Sequence, residues 1–213
     1  MSSTQLRVVH PRHAASLILW RQARSGPVEV LMGIRAAGHR FMPNRLVFPG
    51  GRVDLADRAT PAATELRPET RAALERRAPA RLARALAVAA ARELEEETGL
   101  VLGGTRPALD RLDYLCRAVT PRHFPMRFNA RFLLAPAEAA TGTLAGSGEL
   151  ERLAWVTPEA VRHLPVAPIT ACVLAEFGDW VALPPAARPA RPLICLRGAG
   201  TRCPEPPGPA AAP

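Results

Sequence analysis

Residues 92–100 read Arg-Glu-Leu-Glu-Glu-Glu-Thr-Gly-Leu and put four glutamates into the last turn and a half of a segment with helical composition. The carbonyl end of a helix carries roughly half a negative charge, and carboxylates three or four residues apart repel by about 0.2–0.5 kcal/mol per pair. At about 100° per residue, Glu93, Glu96 and Glu97 share an arc of about 100°, while Glu95 points to the far side. A solvated acidic face is the ordinary reading of such a run. The preceding turns argue against it: Leu82, Leu86, Ala89 and Ala90 lie on the side of the arc, and Ala83, Ala87 and Leu94 flank it. A helix apolar almost all round is normally buried. Three carboxylates at the edge of a core need a countercharge, which Arg92 alone does not supply. A divalent cation such as Mg²⁺ or Mn²⁺ would, through carboxylate, water and phosphate oxygens.

The elements that must position these acids are legible as patterns. Ala80–Thr98 is rich in helix formers and ends at Gly99 as the C′ residue. Ala14–Trp20 and Val28–Ile34 read as a β-hairpin about Ser25-Gly26-Pro27, and Arg45–Phe48 as a strand that stops at Pro49-Gly50-Gly51. The Pro- and Ala-rich stretch Asp57–Pro79 reads as irregular, with a short helix around Glu69–Arg77. Leu112–Val119, Arg127–Leu134 and Leu150–Val156 read as strands, and Pro158–Leu164 and Ile169–Trp180 as helices. From Pro184 onward the chain is Pro-, Ala- and Arg-rich and reads as a loosely ordered tail.

With 213 residues and 48% hydrophobic content, the chain suits one packed domain with an appendage. Its net charge of +9 comes from 28 basic residues that are all Arg, a pattern of coding bias, and no basic run interleaves with aromatics. Nucleic acid is therefore disfavoured as partner and small anions are retained. No apolar run approaches the roughly 20 residues needed to span a bilayer. Cys116, Cys172, Cys195 and Cys203 fall at no metal-ligand spacing, and the first residues lack the pattern of a signal peptide, so a reducing cytoplasm is the default. His10, His13, His39, His123 and His163 form no pair at ligand spacing and read as surface or loop residues. Arg117, Arg122 and Arg127 either line a cleft or are solvated.

The run Arg92–Leu100 resembles, position for position, the second half of the Nudix hydrolase signature: Arg-Glu, an aliphatic residue, any residue, Glu-Glu, any residue, Gly, an aliphatic residue. Phe48-Pro49-Gly50-Gly51 is similar to the usual lead-in, with Asp57 standing where the signature has Glu. The spacing departs: 34 residues, 58 to 91, separate Asp57 from Arg92 where the pattern has seven, which leaves the role of Asp57 open. The excess resembles a Nudix branch with an insert, here about residues 58–79.

The resemblance implies an α/β fold, an α/β/α sandwich with a mixed sheet over residues 1–183. It implies cleavage of a nucleoside diphosphate linked to another moiety, with Mg²⁺ or Mn²⁺. By that likeness Glu93 and Glu97 are the principal metal ligands, Glu96 a third ligand or the base, and Arg92 orients Glu93. Gly50, Gly51 and Arg52 meet metal or phosphate, and Glu149 or Glu151 is a further candidate base. A homodimer is compatible with it.

Upstream, Leu31-Met32-Gly33-Ile34-Arg35-Ala36, Arg40 and Asn44 are similar to a coenzyme A diphosphatase motif, with Arg35 and Arg40 in register. Gly33 for Thr and Asn44 for Gly are departures, of which the second suits a turn because Asn tolerates positive φ. Arg35 and Arg40 would grip phosphate bidentately. Coenzyme A or an acyl derivative is the expected substrate. ADP-ribose, a dinucleotide or a capped RNA end is the alternative, and a non-catalytic nucleotide-sensing module the alternative of another class.

Overall fold

The computed structural model describes residues 9–23, 26–38 and 42–206. His39 and Arg40 therefore lie outside the described residues. In chain order the elements are β1 (Arg12–Gln22), β2 (Val28–Arg35), β3 (Leu46–Val47), β4 (Gly50–Arg52), α1 (Pro68–Glu75), α2 (Ala80–Thr98), β5 (Leu100–Leu102), β6 (Asp113–Val119), β7 (Phe128–Pro136), β8 (Ala140–Gly142), β9 (Leu150–Val156), α3 (Pro158–Val161), α4 (Pro168–Ala182), β10 (Ile194–Arg197) and β11 (Thr201–Pro204).

Nine of the strands form one mixed sheet in the order β11-β10-β6-β7-β1-β2-β3, with β4 paired to β1 and β9 to β2. β1 runs parallel to β7 along residues 12–20. Its other edge is shared. Ala14–Ser16 pair antiparallel with β4, and Trp20–Gln22 pair antiparallel with β2. The period-2 alternation of β1 sends Ala15, Leu17 and Leu19 into one core and Ile18 into the other. α1 and α2 pack on the first face, and α4 on the second through Val173, Leu174, Phe177 and Trp180. The result is a three-layer α/β fold with a mixed sheet.

α2 is the element that carries the acids. Its run of alanines, Ala83, Ala85, Ala87 and Ala89–Ala91, is buried and lets the helix approach β1 and β4 closely, while Leu86 and Leu94 are fully buried. Truncating either leucine to Ala would cost about 2–5 kcal/mol. The helix ends where the sequence says it should, with Gly99 at φ 71° and its amide bonded to Glu95 O.

Residues 58–79 are tied to the segment 107–113. Ala63 donates to Pro107 O, the Thr70 hydroxyl donates to Leu112 O, and Arg67 pairs with Asp113. Leu66, Leu74 and Ala78 join the core beneath α2.

Three expectations are corrected. Within the described residues the segment 185–206 is not loose: β10 pairs parallel with β6, and Leu193, Ile194, Cys195 and Leu196 are buried. Its composition hides a four-residue apolar run whose partner strand lies far upstream. Arg117 neither lines a cleft nor meets solvent, because it pairs with buried Glu205, and buried Arg127 donates to Thr120 O and Val9 O. His13 is not in a loop but in β1, half-buried, with Nδ1 3.2 Å from Arg131 Nη1.

Candidate active site

The short strand Gly50–Gly51–Arg52 lies against the C-terminal half of α2. Gly50 donates its amide hydrogen to Glu97 Oε2 at 2.7 Å. A Cβ at Gly51 would sit 2.3–2.6 Å from the carboxylate of Glu93 and would have to push it aside. The glycine thus lets that carboxylate lie directly on the loop backbone.

Glu93 and Glu97 are buried, Glu97 to 1% exposure, whereas Glu96 is at the rim and Glu95 faces solvent. The arc drawn from helical periodicity therefore divides into two buried acids and one exposed one. Arg92 binds this group together. Its Nη1 donates to Glu93 Oε1 at 2.9 Å and to Glu96 Oε2 at 2.8 Å, and its Nη2 donates to Arg52 O at 3.0 Å. The other side of the guanidinium forms a bidentate pair with Asp57, at 2.9 and 3.2 Å.

Asp57 is 1% exposed, and its Oδ2 also accepts from the Asp54 amide at 2.7 Å. The structure thus brings Asp57 into the cluster despite the long intervening segment. Asp54, 4.0 Å from Arg92, belongs to the same cluster and was not anticipated; its spacing of three residues before Asp57 is the signal that was there to read.

Burial raises the pKa of the Glu97 carboxyl to about 7; the Gly50 N–H and the Arg35 charge oppose the rise, and Glu93 and Glu149 add to it. Burial likewise raises Glu93, against the opposing charge of Arg92 and with help from Glu96 and Glu149. Burial works against the charge of Arg92, but Asp57 and Glu93 outweigh it and raise its pKa. These influences place Arg35 and Glu149 near the buried pair. Glu151 is exposed and opposes Ile34 across β9 and β2. Asn44 adopts φ 56°, as its place in the turn requires, and its amide donates to Arg35 O.

The cluster offers only oxygen donors, and its buried acids hold protons more tightly than usual because burial disfavours their charged form. Among the described residues no three His, Cys, Asp or Glu side chains are already gathered into a closed metal-binding group. Mg²⁺ needs no such cage: one or two carboxylates with water and phosphate oxygens suffice. Glu93 and Glu97, one turn apart beside a glycine loop, fit that kind of open site.

Residues 10–177 match the NUDIX domain family model, and the chain belongs to that family. It is a Nudix domain, and proteins named as Nudix hydrolases are among those it is similar to. A Caenorhabditis elegans protein named nudix hydrolase 7 is 27% identical over 205 residues, covering 82% of this chain and 57% of the relative. The chain thus spans little more than half the length of that relative. A Nudix hydrolase structure from Alicyclobacillus acidocaldarius superposes with a TM-score of 0.57 at 25% identity, over 78% of this chain and 90% of the other. The Nudix domain of Shewanella oneidensis NrtR, solved with ADP ribose, gives 0.53 at 15% identity over 82% and 90% and shares the fold. Among the described residues no helix is long and apolar enough to cross a membrane.

Proposed function

We propose that this chain hydrolyses the pyrophosphate link of a nucleoside diphosphate derivative, with coenzyme A or an acyl-coenzyme A as substrate. The observation that carries the reading is the Gly50–Gly51 backbone seated on Glu93 and Glu97, with Arg92 holding Glu93 in place. Glu93 and Glu97 would hold the cation. When bound, the cation supplies charge neutralisation at the pyrophosphate and a nucleophilic water near neutral pH. The remaining work falls to the chain. Arg92, anchored by Asp57, fixes the Glu93 carboxylate, and the amide at Gly50 fixes Glu97. Glu149 is the better candidate base of the pair proposed, because its charge reaches both buried acids. Glu96, at the rim and tied to Arg92, is the alternative.

The coenzyme A assignment rests on Arg35, whose charge reaches Glu97, and on Arg40 in register with it. The test is a screen of coenzyme A, an acyl-coenzyme A, ADP-ribose and NADH with Mg²⁺ or Mn²⁺, products identified by mass. ADP-ribose belongs in it because NrtR holds that compound on the same fold. Release of 3′,5′-ADP and phosphopantetheine as the fastest reaction is expected. Faster cleavage of ADP-ribose would overturn the substrate assignment, and no cleavage of any of them the hydrolase reading.

A further inference from the structure

At the end of β4 away from Glu97, a cavity of about 160 Å³ opens between the start of β1 and the turn that follows β4. Arg12, His13, Arg52 and Arg58 form its polar wall. Val53 and Leu82 add its apolar surface, and its mouth is open, with Arg12, Arg52 and Arg58 exposed. Its single acid, Asp54, is drawn toward Arg92 at 4.0 Å. Among the described residues, the side chains of Arg12, Arg52 and Arg58 make no hydrogen bond or ion pair.

Behind the wall stands a fifth basic group. Arg131 is 1% exposed and forms no ion pair among the described residues. It donates from Nη1 to Asn129 O at 2.9 Å and from Nη2 to Arg77 O at 2.8 Å, and its Nη1 contacts His13 Nδ1 at 3.2 Å. A guanidinium has no acceptor, so His13 Nδ1 must accept, and neutral His13 keeps its hydrogen on Nε2 as a donor. Burial lowers the pKa of His13, and the Arg131 and Arg58 charges add to the effect, which keeps the ring neutral. The cavity is therefore rich in donors, poor in acceptors, and backed by a buried cation. Buried charge without a counterion is costly, and an anion would relieve it.

We propose that this cavity is an anion subsite, separate from the carboxylate cluster, that takes a phosphate or phosphomonoester group. Guanidinium forks match phosphate oxygens two at a time. The frame is rigid: Arg52 sits opposite Ala14 on paired strands, two residues from Arg12. It is also coupled to the hydrolytic cluster, since Arg52 O accepts from Arg92. The group can come from a substrate with a phosphate beyond its pyrophosphate, or from free phosphate.

Calorimetric titration of the metal-free protein with inorganic phosphate and with 3′,5′-ADP, at constant ionic strength, tests the subsite. Wild type and Glu97→Gln should bind alike at one saturable site. Arg12→Ala/Arg58→Ala should weaken binding at least about tenfold, and the control Arg122→Ala/Arg197→Ala should change it less than about twofold. Absence of saturable binding in the wild type, or equal losses in both double variants, would overturn the proposal. The ratio of kcat/KM for coenzyme A over its 3′-dephospho form separates the sources: collapse of the ratio in Arg12→Ala/Arg58→Ala assigns the group to the substrate, and an unchanged ratio assigns it to free phosphate. Because binding is read without turnover, loss of the hydrolase reading would leave this result standing.

Discussion

Asp57 and Arg92 meet fork to fork, Nε to Oδ1 at 2.9 Å and Nη2 to Oδ2 at 3.2 Å, although 34 residues lie between them. The pair is the hinge between the glycine loop and the helix, because the same guanidinium reaches Glu93 and Glu96.

Asp57→Asn should therefore act on both stability and turnover. It leaves a partly buried guanidinium short of its carboxylate, a loss of about 1–3 kcal/mol, and it frees Arg92 to displace Glu93. Urea denaturation and kcat measured together check this. Wild-type values in both would show that Arg92 is held by the glutamates alone.

Activity should require a divalent cation, and Glu97→Gln should lower kcat at least about 10²-fold, roughly 2.7 kcal/mol of transition-state stabilisation. Glu95→Gln, on the solvent face, should leave kcat near wild type. Full turnover of Glu97→Gln, or of wild type in excess chelator, contradicts the metal site.

Metal should stabilise the fold in a pH-dependent way. The pKa of Glu97 is raised to about 7 in the folded chain, above its ordinary value near 4.5, so the native state binds more protons than the unfolded state between those values. Without metal, this group's contribution must then fall as pH rises through that window, by a few kcal/mol in all. A cation binds the ionised carboxylate and displaces the proton. The rise in Tm produced by Mg²⁺ or Mn²⁺ should consequently grow from pH 5 to pH 8 and vanish in Glu93→Gln/Glu97→Gln. A rise of equal size at both pH values would rule out Glu97 as a ligand.

The C-terminal strands should be indispensable. Glu205→Ala strands the Arg117 guanidinium in the sheet interior, a type of loss worth about 3–5 kcal/mol. Circular dichroism melts of this variant and of a chain ending at Leu183 should show a large destabilisation and an unfolded protein, respectively. A well-folded truncated chain would mean that β6 tolerates an open edge.

What the sequence revealed follows from the range of the interactions involved. α2, its stop at Gly99 and the division between Glu95 and Glu93/Glu97 rest on local periodicity, and were legible. The strands β1, β2, β6, β7 and β9 were legible for the same reason, in their alternating or continuous apolar runs. β10 was not, since four apolar residues among Pro, Ala and Arg become a strand only by lying beside β6. Asp57 was left open because chain separation says little about spatial separation once a segment such as 58–79 is folded against its own partners.

The shared edge of β1 has a final consequence. Because β4 holds its first half and β2 its second, the sheet divides there like a forked branch, and Gly50 and Gly51 sit in the crotch. The fork is closed by packing, since Leu17 donates its amide to Pro49 O and Leu17, Ile18, Leu19 and Phe48 are buried. Its geometry follows from hydrogen-bond ladders shared among many residues, so single side-chain changes nearby should leave the seating of Gly50 on Glu97 intact.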